Sequence, residues 1–182
     1  MVLEGKKVRL RGLVPADETA LIAILSDPEV TRGLDLWALR PIGRPDVTAL
    51  LRPGGPSLVR WGVEDRVDGA LAGIAWLTDI EHRDRHADLQ LVLGPPARWR
   101  RGLGREAAAL ATAFAFAHLS LLKVSAEIPV TLPAGRRTAE QAGFAREGTL
   151  RRNRLFDGEL VDVDAMAAFA DEPRWVEAAR WT

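Results

Sequence analysis

The stretch Gly94-Pro-Pro-Ala-Arg-Trp-Arg-Arg-Gly-Leu-Gly-Arg-Glu-Ala-Ala108 decides how the rest of the chain reads. Before it, Leu89-Gln-Leu-Val-Leu93 is short, apolar and bounded by Gly-Pro, which predicts a largely buried strand. After it, Leu103 to Leu119 is rich in Ala, Leu and Phe, with no Gly or Pro beyond Gly104, which predicts a helix. A loop of glycines and arginines therefore opens directly into a helix N-terminus. Glycines let a backbone approach a ligand closely, and the first N–H groups of a helix carry partial positive charge. That combination suits a phosphate or pyrophosphate, and Arg98, Arg100, Arg101 and Arg105 add full charges around it. The plainer alternative is a solvated basic turn, because Gly102-x-Gly104 alone is a weak signal.

Two segments resemble a known family. Strand, Pro-rich turn, Trp99-Arg-Arg-Gly-Leu-Gly-Arg-Glu-Ala107 and a long apolar helix resemble the acyl-CoA-binding segment of the GNAT superfamily of N-acyltransferases. A Trp opening the loop is similar to the RimJ/RimL-type branch. Further on, Glu140-x-Ala-Gly143-Phe144-x-x-Glu147-Gly148-x-Leu150-Arg151 resembles the family's second signature: a short helix, a Gly cap and a strand whose Phe enters the core. The opening of the chain (strand, Pro15-x-Asp17, helix, Asp27-Pro28) is also similar to RimJ/RimL-type proteins.

Length and composition agree with such a domain. The 182 residues make one domain, 1–182, with 47% hydrophobic and 27% charged residues, which is globular rather than disordered. Formal net charge is zero, which argues against general nucleic-acid or membrane-surface binding while leaving room for a local basic patch. With no cysteine there is no disulfide, thiolate metal site or Cys acyl-enzyme. No signal peptide and no bilayer-length apolar run are read, so the expected setting is cytoplasmic. Of 25 basic residues only Lys6, Lys7 and Lys123 are lysines, a bias typical of a GC-rich bacterial genome.

In chain order, Val8 to Gly12 alternates as a first strand, and Pro15 with Asp17 is expected to start and cap a helix ending at Ser26-Asp27-Pro28. Residues 31 to 44 show no period, and Pro45-Asp46 starts a second short helix that breaks at Arg52-Pro53-Gly54. Ser57–Glu64 and Ala70–Ile80 make a hairpin around Asp65–Gly69. Asp79 to Asp88 is the most polar stretch and reads as the next hairpin loop. His82 and His86 have helical metal-ligand spacing, but they lie in a turn without a third partner, so no metal is expected. On the following strand Asp88, Gln90 and Val92 share one face and Leu89, Leu91 and Leu93 the other. Leu121 to Val130 is another strand, and Arg152–Phe156, Asp157–Glu159 and Leu160–Phe169 form a last hairpin. His118 is read as a helix-end residue, and Trp175 and Trp181 as packing anchors.

The resemblance implies an α/β fold: a mixed, twisted sheet of six or seven strands with helices on both faces. It implies a CoA slot between the fourth and fifth strands, which run parallel and splay apart. Pyrophosphate would lie on the N–H groups of Arg101, Gly102, Leu103, Gly104 and Arg105, and the pantetheine arm would pair with Leu91, Val92 and Leu93. Acetyl-CoA would be the donor and the primary amine of a small molecule or peptide the acceptor, with residues 31 to 56 lining the acceptor side. A homodimer is compatible with this. An ammonium group must lose a proton before it attacks. Asp88, which occupies the family's acidic position, is the first candidate base, followed by Glu81 and His82. The chain departs from the family in having Leu132 and Gly135 where Asn and Ser are usual, and no Tyr anywhere to act as acid. Two other readings stay open: a related acyltransferase using a carrier-protein arm or an aminoacyl-tRNA, and a non-catalytic CoA-binding module.

Overall fold

In a computed structural model, the protein is described over residues 1–32, 41–52, 54–172 and 174–175. Residues 33–40 and 53 of the segment expected to line the acceptor side, together with Trp181, lie outside the described residues. The strands are β1 (Leu3–Glu4), β2 (Val8–Arg11), β3 (Val59–Asp65), β4 (Leu71–Glu81), β5 (His86–Leu93), β6 (Lys123–Pro129), β7 (Ala145–Phe156) and β8 (Glu159–Phe169). The helices are α1 (Glu18–Leu25), α2 (Pro28–Thr31), α3 (Arg44–Leu51), α4 (Leu103–His118) and α5 (Pro133–Ala142). One sheet runs β1-β2-β3-β4-β5-β6-β8-β7. It has eight strands rather than six or seven because Leu3–Glu4 adds a two-residue edge strand, too short to show a period.

Strand alternation sorts the core onto two faces. Ala75, Leu77, Ala87 and Leu89 face α4, whose inner stripe of Leu103, Ala107, Ala108, Ala111 and Ala115 is buried. These small side chains let the helix lie close to the sheet. Ile74 and Val92 face the other way, onto Leu21, Ile24 and Leu25 of α1 and Val47 of α3. The left-handed Gly143 (φ +113°) closes α5, and Phe144 enters the core at 4% exposure. Trp175 packs edge-on against Phe116 at 5.5 Å, as an anchor should. His118 stacks on Phe114 at the end of α4, with centroids 5.1 Å apart.

Local details differ from the sequence reading in two places. Asp17 does not cap α1: its carboxylate accepts from the Val14 N–H at 2.8 Å and from Arg11 at 2.8 and 2.9 Å. A strong cation at the right register outcompetes the helix N–H groups. The expected hairpin loop 79–88 shrinks to a turn at 82–85, because strand pairing continues through a bulge (Asp79, φ +49°) to Glu81↔His86. Polar composition had hidden two strand ends.

Candidate active site

The slot arises where one ladder stops. β5 and β6 pair in parallel only at His86↔Lys123, Ala87↔Val124 and Asp88↔Ser125. Beyond that β5 stays on β4 as far as Leu93↔Gly73, while β6 stays on β8 as far as Pro129↔Val163. The two strands diverge, and the β5 edge from Leu89 onward faces a gap. Gly73 lies under the Val92 carbonyl with no room for a Cβ, so Val92 points its backbone at β4. Alternation then turns the N–H and C=O groups of Leu91 and Leu93 toward the slot. Trp99 reaches back from the loop, and its indole N–H donates to the Leu93 carbonyl at 2.8 Å. Leu91 is left as the residue whose backbone can pair with an extended arm.

At the open end of the slot the glycine–arginine loop enters α4. Gly102 is left-handed (φ +82°), which turns the chain sharply into the helix. Helix geometry leaves the N–H groups of Leu103, Gly104 and Arg105 without intrahelical partners. Gly104 is buried for a further reason. A Cβ there would stand 2.9 Å from Leu93 Cδ1 and 3.2 Å from Thr138 Cγ2, so the glycine also lets α4 fit against β5 and α5.

The four loop arginines divide. Arg98 donates to Asp65 at 2.8 Å and to Asp68 at 2.8 Å, and Arg101 pairs with Asp65 at 2.7 Å. Asp65 is fully buried and also accepts from the Val67 N–H. A buried carboxylate needs such partners, and here they fasten the loop to the β3–β4 turn. Arg100 and Arg105 are exposed and form no ion pair among the described residues, so they are the side chains free to meet phosphate. Glu106 completes the clamp. Its carboxylate accepts from the backbone N–H groups of Lys6, Lys7 and Val8 at 2.9, 2.6 and 2.8 Å, tying the first turn of α4 to the β1–β2 turn. Nothing in the sequence marks Glu106 for this, because its partners lie about a hundred positions away.

Asp88 stands where the slot closes. It is half-buried and flanked in register by Thr78 on β4 and Ser125 on β6. Burial pushes its carboxyl above the ordinary range, and the charge of Asp79 adds to this, against the opposing influence of His86 and Lys123. The Thr78 hydroxyl beside it is buried and makes no hydrogen bond among the described residues. One step along the same face, Trp76 Nε1 donates to Gln90 Oε1 at 3.0 Å, which leaves the amide N–H groups of Gln90 unclaimed by that bond. Thr78, Trp76 and Ser125 were not singled out from the sequence. A Thr at the end of the apolar run Leu71–Leu77 was a faint signal, but only the register places it against Asp88. Glu81 and His82 are exposed at the outer end of the hairpin, away from the slot, so the structure does not bring them to Asp88. Leu132 and Gly135 sit at the start of α5 beside the slot, where Gly135 lies against Ile128 of β6. Among the described residues no group of three or more His, Cys, Asp or Glu side chains could hold a metal ion. No helix is long and apolar enough to cross a membrane among them either.

Residues 7–145 match the family described as Acetyltransferase (GNAT) domain. The chain belongs to that family of acetyltransferases. It is 26% identical over 168 residues to the uncharacterized N-acetyltransferase YoaA of Bacillus subtilis, covering 90% of this chain and 93% of that one. It is 28% identical over 102 residues to the spermidine N(1)-acetyltransferase of Escherichia coli K12, covering 56% of this chain and 54% of that protein. Its fold is that of the Vibrio cholerae spermidine N-acetyltransferase solved with CoA and spermine (TM-score 0.79, 23% identity, 91% and 96% covered). A GNAT-family acetyltransferase from Bacillus anthracis superposes equally well (TM-score 0.81, 18% identity, 94% and 100% covered). The family's co-substrate is acetyl-CoA.

Proposed function

We propose that the protein moves an acetyl group from acetyl-CoA to the primary amine of a small polar molecule, with Asp88 as the base. The observation that carries this reading is the break in the β5–β6 ladder immediately after Asp88↔Ser125, which puts a half-buried carboxylate at the closed end of a slot whose open end is a helix N-terminus. The N–H groups of Leu103 to Arg105, with Arg100 and Arg105, would hold the pyrophosphate, and the backbone of Leu91 would hold the arm. The arm is then bound by main chain, consistent with Leu132 and Gly135 offering no polar side chain. Arg98, Arg101, Glu106 and Gly104 position the loop.

Acetyl-CoA supplies the activated acetyl group. An alkylamine near pKa 10 arrives as ammonium, and a carboxylate near 3.9 is a poor base for it. Burial of Asp88 narrows that gap, and a base acting through one water is within reach of ordinary proton transfer. The amine nitrogen forms the new C–N bond and the C–S bond breaks; from ammonium to amide the nitrogen gives up two protons, one taken by Asp88 and passed to solvent and one that ends on the departing thiolate. Thiols near pKa 8.5 leave with little assistance, which fits a chain without tyrosine. Trp99 and the Asp27-Pro28 opening support placing the chain in the RimJ/RimL-type branch, and the arginine bias and bacterial relatives support a bacterial origin. The names of two relatives make spermidine the first acceptor to try. A thiol-release assay over an amine panel tests the reading. Turnover with an amine supports it, whereas CoA binding by calorimetry with no amine acetylated would leave only a CoA-binding module.

A further inference from the structure

Among the described residues, the two arms of the slot are joined at the open end, on the face opposite α4, by an exposed contact. On the β5 arm, α2 packs over Gly94, where a Cβ would stand 2.8 Å from Val30 Cγ2. On the β6 arm, the β7–β8 hairpin ends in Asp157 and Gly158. Arg32, just past α2, donates from Nε at 2.9 Å and from Nη2 at 2.5 Å to Asp157 Oδ2, and its guanidinium lies 5.5 Å from the centre of the Phe156 ring. Arg32 and Asp157 are 57% and 53% exposed, so the pair is screened by water and easily separated.

Two clefts meet at this contact and share Arg32 and Asp157. Among the described residues their combined linings carry the carboxylates of Glu29, Asp157 and Glu159 against one cation, Arg32 itself. An aromatic face beside two carboxylates is what an alkylammonium group binds, through cation–π attraction and charge-assisted hydrogen bonds. Here a side chain of the protein occupies it.

We propose that Phe156, Asp157 and Glu159 form a subsite for a second cationic group of the acceptor, and that Arg32 is its built-in competitor. The preferred acceptors are then long diamines and polyamines rather than monoamines. The inference rests on the acetyltransferase reading only in taking this face as the acceptor side. Because Gly94, under α2 at the mouth, lies six residues beyond Asp88, the second charge must be carried well away from the reacting nitrogen.

The test measures binding without turnover. Calorimetric affinities of α,ω-diamines of increasing length are compared with those of the monoamines of equal length, for the parent, Arg32→Ala, Asp157→Asn and Glu159→Gln. The parent should favour diamines above a threshold length. Asp157→Asn should cut the diamine-to-monoamine affinity ratio about tenfold, and Glu159→Gln by less. Arg32→Ala should raise that ratio severalfold, because the competitor is gone. All three substituted residues are on the surface, and far-UV circular dichroism checks that each variant folds. A ratio unmoved by any substitution, or one that falls in Arg32→Ala, overturns the subsite. If CoA binds and monoamines are acetylated under the same conditions, that failure leaves the acetyltransferase reading intact.

Discussion

The proposed donor side and the proposed acceptor side of the slot are held in opposite ways. Around the glycine–arginine loop the central fastening is buried: Asp65 at 0% side-chain exposure takes two arginines, and the half-buried Glu106 adds three backbone N–H groups. Across the proposed acceptor mouth a solvent-exposed pair, Arg32–Asp157, joins the arms among the described residues. Buried pairs cannot be broken cheaply, whereas exposed ones trade readily with water. A pyrophosphate has one shape and rewards a preformed cradle. An acceptor must enter and its product must leave, and the face proposed for it is closed by a contact that can open.

Asp88 lies at the junction of the two sides, and its replacement should have the largest effect. Asp88→Asn removes the charge and keeps the shape. Loss of a general base typically costs about 10²- to 10⁴-fold, so kcat should fall within that range with CoA affinity nearly unchanged. The pH behaviour follows from the direction of the shift. Because burial raises the folded carboxyl above its unfolded value, the folded state holds the proton more tightly, and ionising Asp88 costs stability. That cost is absent well below the unfolded value and is fully present above the raised one. Asp88→Asn should therefore have a higher Tm than the parent at neutral pH, with the difference shrinking as pH falls. The acid limb of the parent's kcat profile should likewise lie above an ordinary aspartate's. A variant equally inactive but less stable at neutral pH would make Asp88 a structural residue.

On the donor side, Asp65→Ala leaves Arg98 and Arg101 without their buried partner. Breaking a buried pair from one side costs about 3–5 kcal/mol, which the urea midpoint at unchanged m-value would report. A loss below about 1 kcal/mol would put this fastening in the same class as the exposed one and end the contrast drawn above.

The division among the arginines sharpens the same comparison. Arg105→Ala and Arg100→Ala should each weaken CoA binding severalfold, and the loss should shrink as salt is raised, since exposed charges are screened within about 10 Å at 0.1 M. Arg98→Ala should act mainly on stability. If Arg98→Ala instead removes the salt dependence of CoA affinity, the loop must rearrange on binding and free that guanidinium.

How much of this was legible in the sequence follows from the range of each interaction. The strand–loop–helix around Gly102, the α5–Gly143–Phe144 unit and the β3–β4 hairpin are encoded by neighbours a few positions apart, and they stand where the pattern put them. The slot itself depends on where β5 and β6 stop pairing, which no local period records. The loop arginines look equivalent in the sequence because their partners lie 30 or more positions away, and Arg32 gives no hint of a partner 125 positions on. Asp88 was placed correctly on its face by alternation, but the neighbours Thr78 and Ser125 needed the register.

The smallest effect should come from the acceptor-side contact. Arg32→Ala removes two hydrogen bonds to Asp157 and a ring contact with Phe156, yet both charged groups are more than half exposed and Asp157 can be rehydrated in place. The loss in unfolding free energy should stay under about 1 kcal/mol. At 1 M salt, where the screening length is about 3 Å, even that difference should fade, while the Asp65→Ala deficit persists because water and ions do not reach it. Equilibrium urea curves at low and high salt for both variants make the comparison in one experiment. A salt-resistant loss of about 2 kcal/mol or more from Arg32→Ala would mean that the mouth is fastened as firmly as the donor loop. It would then have to open by some route other than this pair.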